Sequence, residues 1–277
     1  MSADATADAS ALIDEAAETD HAAFVARLRG LPGTEFDARD TQQELSTGLA
    51  SGFFNNVILV RWPDAGAERL AALLGKARER AAPWRFYVTA ATSPVGIEAM
   101  LESVGLVPGT PGQSMLLDDL GAIDVPDVHG LLIERVTDAD GLERWLEVRR
   151  ETNDWSADTV DAWRQANTHM GFGDTSPVRS WYASIGGETI AIVQLHIGEF
   201  RPDGTRDAGI YNVETVPRAR RQGIATVMTA HAIAAATEFG VARVVLSASE
   251  AGRPVYARLS FRSGGSFTFW FDPDLGR

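Results

Sequence analysis

Apolar residues fall into two successive series along the chain, and each series predicts strands that alternate with helices. Strands are expected where β-branched and aromatic residues cluster, and helices where apolar residues recur every three or four positions. In the first series, strands are predicted over residues 51–62, 84–89 and 113–117. Helices are predicted over residues 11–29, with Ser10 as the N-cap, 67–82 and 94–104.

The second series predicts a longer run of elements. Its strands are expected over residues 131–135, 181–185, 189–197, 210–216 and 242–249. Its helices are expected over residues 138–150, 156–166, 224–239 and 254–261, and Thr137 and Ser156 are the predicted N-caps of the first two. Gly186 and Gly187 separate two of the strands, which predicts a hairpin.

The order strand, helix, strand, helix, strand of the first series repeats in the second, so the chain is predicted to contain an internal repeat. The aligned segments are 54–57 with 211–213, 67–82 with the helix after Ala225, 86–89 with 244–248, and 96–106 with 255–262. Pro, Gly and Asp residues mark a linker between the two halves. The expected domains are therefore residues 1–122 and 131–277, joined by a linker over 123–130.

Candidate chemistry is concentrated where the strand over 210–216 passes into the following helix. The start of a helix presents N–H groups without helical acceptors and the positive end of the helix dipole. Gly223 and Ala225 are small enough to let a phosphate approach this backbone, and Arg220 and Arg221 add positive charge. The stretch therefore predicts a diphosphate cradle. It is not a nucleotide P-loop, because the chain has no Gly-Lys-Ser/Thr and its one lysine is Lys76.

The pattern Arg220-x-x-Gly223-x-Ala225 after a strand resembles the acyl-CoA-binding motif of the GNAT N-acetyltransferase superfamily. The strand and helix that follow are similar to the closing elements of that family, with Tyr256, Leu259 and Phe261 in register. Two positions depart from the pattern. Ser260 stands where glycine is usual, and Ser249 stands where asparagine is common.

This resemblance implies an α/β fold of two tandem GNAT-like domains, each with a mixed sheet flanked by helices, as in mycothiol synthase-like enzymes. It implies transfer of an acetyl group from acetyl-CoA to an amine of a small molecule or peptide by direct attack, without a metal. In the family, the strand before the cradle pairs with the pantetheine arm, and this role carries over to Val213, Glu214, Thr215 and Val216. The cradle carries over to Arg220, Arg221, Gln222, Gly223, Ile224, Ala225 and Thr226.

The catalytic candidates each have a structural alternative. The resemblance makes Tyr256 the general acid toward the CoA thiolate, whereas a packed core tyrosine is the alternative. Glu214 shares a strand face with Asn212 and is expected either to hold a water or accept the amine proton, or to be an exposed strand residue. Ser249 either bonds the pantetheine or caps the next helix.

Other side chains are weaker candidates. His196 and Asp207 are possible bases, and His231 is expected to be a structural residue of its helix. Four further residues are expected either to line the acceptor side of the cleft or simply to pack. They are Trp155, Trp163, His169 and Phe172.

The first repeat departs from the motif in the segment between strand and helix, where the cradle is expected. Residues 63–68 read Pro-Asp-Ala-Gly-Ala-Glu, with two carboxylates and no basic residue where a diphosphate would sit. Leu101 stands where the tyrosine is expected. The first domain is therefore predicted to be non-catalytic.

Composition narrows the partners. A net charge of −13 argues against binding to nucleic acid and is compatible with a cationic acceptor. The alternative is that the acidity only confers solubility, as in a high-salt cytoplasm. The chain has no cysteine, and its five histidines are not at zinc-binding spacing. Without a membrane-length apolar run or a secretory signal pattern, a cytoplasmic monomer or homodimer is expected. The rival interpretations are a non-catalytic acyl-CoA sensor or scaffold, and a transferase that uses another acyl-CoA or a hydroxyl acceptor.

Overall fold

The structure is a computed structural model, and it describes residues 3–39, 42–62, 66–121 and 123–275. The helices are α1 Ala3–Ala26, α2 Gly66–Arg80, α3 Ile97–Ser103, α4 Ala139–Thr152, α5 Ala157–Met170, α6 Ile224–Glu238 and α7 Arg253–Arg258. The strands are β1 Glu35–Arg39, β2 Gln42–Ser46, β3 Asn55–Ile58, β4 Arg85–Thr89, β5 Val107–Pro108, β6 Gly112–Leu117, β7 Leu132–Arg135, β8 Val178–Ile185, β9 Glu188–Ile197, β10 Arg206–Thr215, β11 Val241–Ala248 and β12 Arg262–Phe271. Short 3₁₀ turns occupy Gly52–Phe54 and Pro217–Ala219.

The chain divides into two compact units. Unit 1 comprises the chain up to Ser114 together with the segment from Ser263 onwards, and unit 2 is Met115–Arg262. These units differ from the predicted boundaries at 1–122, 123–130 and 131–277. The reason lies in β12, which pairs antiparallel with β4 along Phe267–Phe271 and so places the end of the chain in unit 1.

Unit 1 is built on the strand order β1-β2-β3-β4-β12, in which β3 and β4 are parallel. The apolar stripe of α2, at Leu70, Leu73, Leu74 and Ala77, is buried in one core cluster with residues of the sheet and of α3. This stripe is the one that its helical spacing predicts. Residues 63–65 of the acidic segment lie outside the described residues, and Glu68 lies in the first turn of α2.

Unit 2 has the strand order β6-β11-β10-β9-β8-β7. Strands β10 and β11 are parallel and are connected through α6, whereas β9 pairs antiparallel with both β10 and β8. Helices α4 and α6 both contact β9, and α4 packs on α5. The mixed α/β fold with helices on a mixed sheet is confirmed.

Several local expectations change. Helix α1 begins at Ala3, so Ser10 is not its N-cap. The N-cap of α4 is Asp138 rather than Thr137, because the Asp138 carboxylate accepts a hydrogen bond from the Gly141 N–H at 2.8 Å. Ser156 does cap α5, and its hydroxyl accepts from the Thr159 N–H at 3.2 Å.

Candidate functional site

Strands β10 and β11 separate at their carboxyl-terminal ends. Their parallel pairing ends at Ile210↔Leu246, although β10 continues to Thr215 and β11 to Ala248. On the other side of β10 the pairing with β9 continues, because Glu214 lies opposite Ile192 and Thr215 opposite Ala191. The last residues of β10 therefore have a strand partner on one side and an opening on the other.

The direction of the backbone groups follows from this pairing. The Val216 N–H donates to the Ile190 carbonyl at 2.9 Å, so it faces β9. Because backbone groups alternate between the two edges of a regular strand, those of Thr215 face the opening. The Thr215 carbonyl does so, since it accepts from Arg220 Nε at 3.0 Å. Of the residues predicted to pair with the pantetheine arm, Thr215 thus lies on the free edge of β10 with its carbonyl bonded to Arg220, and the Val216 N–H is bonded to β9.

A bulge interrupts β10 just before the opening. The register with β9 shifts between Tyr211↔Gln194 and Glu214↔Ile192, which leaves Asn212 and Val213 outside the regular ladder. Asn212 has a φ of 53°, in the left-handed region. A bulge bends a strand and re-aims its backbone groups, so this one is a structural cause of the separation from β11.

The predicted cradle lies at the start of α6. Gly223 is the N-cap with a φ of 82°, and the Val227 N–H makes the first helical bond to the Gly223 carbonyl at 3.1 Å. The N–H groups of Ile224, Ala225 and Thr226 therefore have no helical acceptor. Arg221 is also left-handed, with a φ of 66°, and it is exposed together with Gln222. A backbone arc with such residues turns successive N–H groups toward one anion.

Gly223 has a second steric requirement that the sequence does not reveal. A Cβ at this position would lie 2.7 Å from Cγ of Pro126, in the segment that precedes β7. The glycine is thus demanded by its left-handed φ and by the approach of Pro126. This packing requirement stands beside the predicted role of its small size in admitting a phosphate.

Tyr256 and Ser249 follow β11 at the same edge of the sheet. The Tyr256 side chain is buried, and its ring meets the ring of Phe261 edge-on at 5.9 Å. Burial raises the pKa of Tyr256, so its hydroxyl keeps its proton. The Ser249 hydroxyl accepts from the Gly252 N–H at 3.2 Å, as expected of a residue that caps the turn into α7.

The separated strands, the bulge and the cradle all lie within residues 132–261, which match the model of the acetyltransferase (GNAT) family. Residues 132–261 belong to the GNAT acetyltransferase family. No match was found among proteins of curated function.

Solved structures extend the likeness to nearly the whole chain. A GCN5-related N-acetyltransferase from Kribbella flavida is 14% identical with a TM-score of 0.66, over 93% of this chain and 95% of that one. A tandem GNAT protein from the clavulanic acid biosynthesis pathway is 17% identical with a TM-score of 0.62, over 97% of this chain and 95% of that one. A GCN5-related N-acetyltransferase from Sphaerobacter thermophilus is 16% identical with a TM-score of 0.57, over 94% of this chain and 92% of that one. The chain therefore has the tandem GNAT fold.

In the GNAT domain, Glu214 is held by several neighbours. One carboxylate oxygen forms a salt bridge with Arg149. The other contacts the Thr152 hydroxyl and accepts from Asn153 Nδ2 at 3.1 Å. The carboxylate is only partly exposed, and both oxygens are engaged. This arrangement favours a fixed anion that orients a water or an amine over a base that moves freely.

Arg149 is the functional candidate that sequence reasoning missed. Its guanidinium is buried and lies 4.1 Å from the ring centroid of Trp155, 4.2 Å from that of Trp163 and 5.6 Å from that of Trp145. Burial lowers the pKa of Arg149 to about 10 against the opposing effect of Glu214, so it remains a cation at neutral pH. Its spacing from Leu142, Trp145 and Leu146 was the available signal, because it places a charge on the apolar face of α4.

The remaining candidates have structural environments. The Asp207 carboxylate is paired with Arg243 and Arg201, and His196 is buried in β9. His231 meets Trp181 edge-on at 5.3 Å, and burial lowers its pKa, as expected of a structural histidine. Trp155 and Trp163 stack on each other at 5.3 Å beside Arg149.

The other two acceptor-side candidates lie at the end of α5 and just after it. His169 lies in the last turn of α5, and the Phe172 carbonyl accepts from Arg135 at 2.9 Å. Within the described part of the chain, no group of three His, Cys, Asp or Glu residues could hold a metal ion. No described helix is long and apolar enough to cross a membrane.

Proposed function

We propose that unit 2 transfers the acetyl group of acetyl-CoA to an amine by direct attack, and that unit 1 is non-catalytic. The observation that carries this proposal is the separation of β10 from β11 directly beside an N–H-rich helix start. A long thioester with a diphosphate at one end needs both features side by side, an opening between strands for its arm and a helix start for its diphosphate. The family assignment supports acyl transfer from an acyl-CoA, and the acetyl group and the amine acceptor are our proposal.

The order of the features along the chain suggests how the donor lies. The diphosphate binds the first-turn N–H groups of α6, with Arg220 and Arg221 neutralising its charge. The pantetheine arm then runs back along β10 past Thr215 and Val213. Its thioester end consequently reaches the bulge at Asn212, beyond which β10 and β11 are paired and the opening closes.

The chemistry is a simple exchange. The amine nitrogen attacks the thioester carbon, the tetrahedral intermediate collapses, and the carbon–sulfur bond breaks. The departing thiolate takes a proton from the Tyr256 hydroxyl, which burial keeps protonated. The amine loses its proton to a water that Glu214 orients, because both Glu214 oxygens already accept from other groups.

The test combines binding with turnover. Calorimetry should give one acetyl-CoA site per chain, and a panel of amines should include at least one that releases CoA. The variant Tyr256→Phe should lower kcat by about 10²–10⁴-fold, the usual contribution of a general acid, with acetyl-CoA affinity nearly unchanged. The matched control is Tyr182→Phe, a buried tyrosine of β8, which should keep its turnover.

Each rival interpretation has its own result. Tight acetyl-CoA binding without CoA release from any amine or alcohol indicates a sensor. Faster release with a longer acyl-CoA, or with a hydroxyl acceptor, changes the substrate and keeps the reaction class. Full activity of Tyr256→Phe removes that residue from the mechanism, and two sites per chain would show that unit 1 also binds the donor.

A further inference from the structure

We propose that Arg149 is a positioning residue, which fixes the β10 bulge against which the acyl end of the donor lies. The inference rests on the proposed function, because it assigns a role toward the thioester. It adds a residue outside the family motif, on a different helix. Three separate features of unit 2 carry it.

The first feature is the pair of contacts that Arg149 makes. Its Nη1 donates to Asn212 Oδ1 at 3.0 Å and forms the salt bridge with Glu214. Asn212 and Glu214 flank Val213, so one guanidinium holds both sides of the bulge. Asn212 and Glu214 are therefore connected through the Arg149 side chain of α4 as well as through the strand itself.

The second feature is the backbone of Asn212. A non-glycine residue in the left-handed region is disfavoured, even where asparagine tolerates it better than most residues, and neighbouring contacts must offset this. The Asn212 amide is held at both ends, because its Nδ2 donates to Gln194 Oε1 at 2.9 Å while Arg149 donates to its oxygen. Gln194 is in turn fixed by donating to Asn167 Oδ1 at 2.8 Å and Ser180 Oγ at 2.9 Å. The bulge is thus part of a continuous polar network.

The third feature is the rigidity of Arg149 itself. Removing a guanidinium from water is costly, and here the faces of three tryptophans and one carboxylate compensate for it. The Arg149 side chain is 7% exposed, whereas that of Glu214 is 19% exposed. The cation therefore lies behind the bulge, and Glu214 is the member of the pair that solvent and a bound amine can reach.

These features separate Arg149 from the cradle. The first turn of α6 holds the diphosphate through its own backbone, so loss of Arg149 should leave CoA binding intact. A small displacement of the bulge should instead misplace the thioester. Misplacement of about 1 Å costs on the order of 10²-fold in rate. Loss of a purely structural arginine would lower stability, and it would not reduce the rate while leaving CoA affinity intact.

The test compares four variants of the full chain. Arg149→Met keeps the stem and removes the charge, and Arg149→Lys restores a charge without the planar fork. Asn212→Gly tolerates the left-handed backbone and removes the bond to Arg149. Arg150→Met is the matched control, since Arg150 is the exposed neighbour on the same helix.

We expect Arg149→Met to lower kcat by about 10²-fold, at a temperature where it is folded, with acetyl-CoA affinity changed less than about threefold. Asn212→Gly should lie between this variant and the wild type, Arg149→Lys should recover part of the rate, and Arg150→Met should match the wild type. A second readout does not need turnover. In the wild type, the Val213 amide resonance should differ between the CoA and acetyl-CoA complexes, and Arg149→Met should abolish that difference while Ala225 still responds to CoA.

The outcomes distinguish the two proposals. An active wild type with an equally active Arg149→Met variant, and an unchanged Val213 difference, overturns the role of Arg149 alone. A wild type that turns over no acceptor, yet shows the Arg149-dependent Val213 difference, overturns the proposed function and supports the positioning role. A wild type that binds no acetyl-CoA overturns both.

Discussion

At the scale of one residue, Gly223 combines a place in the proposed binding motif with a close packing contact. Its φ of 82° and ψ of −6° lie in the left-handed region, and Pro126 occupies the space of a Cβ. Gly96 supplies a natural comparison. It is also a helix N-cap, with a φ of 86° and ψ of −1°, but a Cβ added there would meet no atom within 4 Å.

We expect Gly96→Ala to show only the backbone cost of the left-handed region, about 1–2 kcal/mol. Gly223→Ala should lower the free energy of unfolding further and weaken acetyl-CoA binding, because Pro126 must also move. Adding Pro126→Gly to Gly223→Ala should recover the part of the stability loss that comes from the contact with Pro126. The part that comes from the left-handed backbone should remain. Denaturant unfolding and calorimetry of the single and double variants check this. Equal losses at Gly96 and Gly223, or no recovery with Pro126→Gly, would contradict the packing explanation.

At the scale of elements, α1 is fastened to β12 by a buried carboxylate. Acidic residues favour the helix dipole only in the first turn, and α1 begins at Ala3, so Asp14 lies in its interior and needs another role. Asp14 is fully buried and accepts from the Gly265 N–H at 2.8 Å. A Cβ at Gly264 or Gly265 would collide with this carboxylate, so the glycine pair forms the notch that receives it.

This notch predicts a pH dependence of stability. Burial raises the pKa of Asp14 from its usual 3.8, while the hydrogen bond from Gly265 opposes the shift. The folded state therefore holds the proton more tightly than the unfolded chain, and the contribution of Asp14 to stability is lost as pH rises through the raised value. The Tm of Asp14→Asn relative to wild type should consequently increase between pH 4 and pH 7. Glu15→Gln, an exposed acid on the same helix, is the control, and a Tm difference that is flat with pH would refute the idea.

The elements also show how far sequence reasoning reaches. The order of β10, α6, β11 and α7 is predicted, because strand content, the Arg-rich turn and the closing Tyr256 segment are local signals. The bounds of α6 and β11 agree to within one residue, whereas β10 begins at Arg206 rather than 210 and α7 ends at Arg258 rather than 261. No bounds are predicted for the strands β1, β2, β5 and β12. Strand β12 depends on pairing with β4, far away in the chain, and its Gly-Gly pair weakens a local strand signal.

The site shows the same division. The proposed cradle residues 220–226 follow from a compact motif, and the outward direction of the Thr215 backbone groups follows from strand geometry. The left-handed φ of Asn212 cannot be predicted from its residue type, because asparagine adopts several backbone conformations. Arg149 becomes meaningful only when α4 is placed against β10. Its position on an apolar helix face marks it as unusual, but its polar partners Asn212 and Glu214 lie in a strand more than sixty residues later.

At the scale of the whole molecule, the two compact units do not coincide with the two halves of the sequence. A fragment over residues 125–277 keeps β12 but loses β4, the strand with which β12 pairs. It also loses β6, the neighbour of β11 in the strand order. Apolar side chains of β12 that are buried in the full chain, such as Phe267 and Trp270, would then become exposed.

A fragment over residues 112–262 follows the observed units instead. It contains all of β6 and unit 2, it keeps the Arg262–Asp118 ion pair, and it omits most of β12. We therefore expect residues 112–262 to be soluble and to bind acetyl-CoA, and residues 125–277 to aggregate, because unpaired apolar strands associate with one another. Gel filtration and calorimetry of both fragments provide the measurement. If residues 125–277 are monomeric and active while 112–262 is unfolded, then β12 contributes more to the stability of unit 2 than to that of unit 1, and the division at Ser263 is not the one that governs folding.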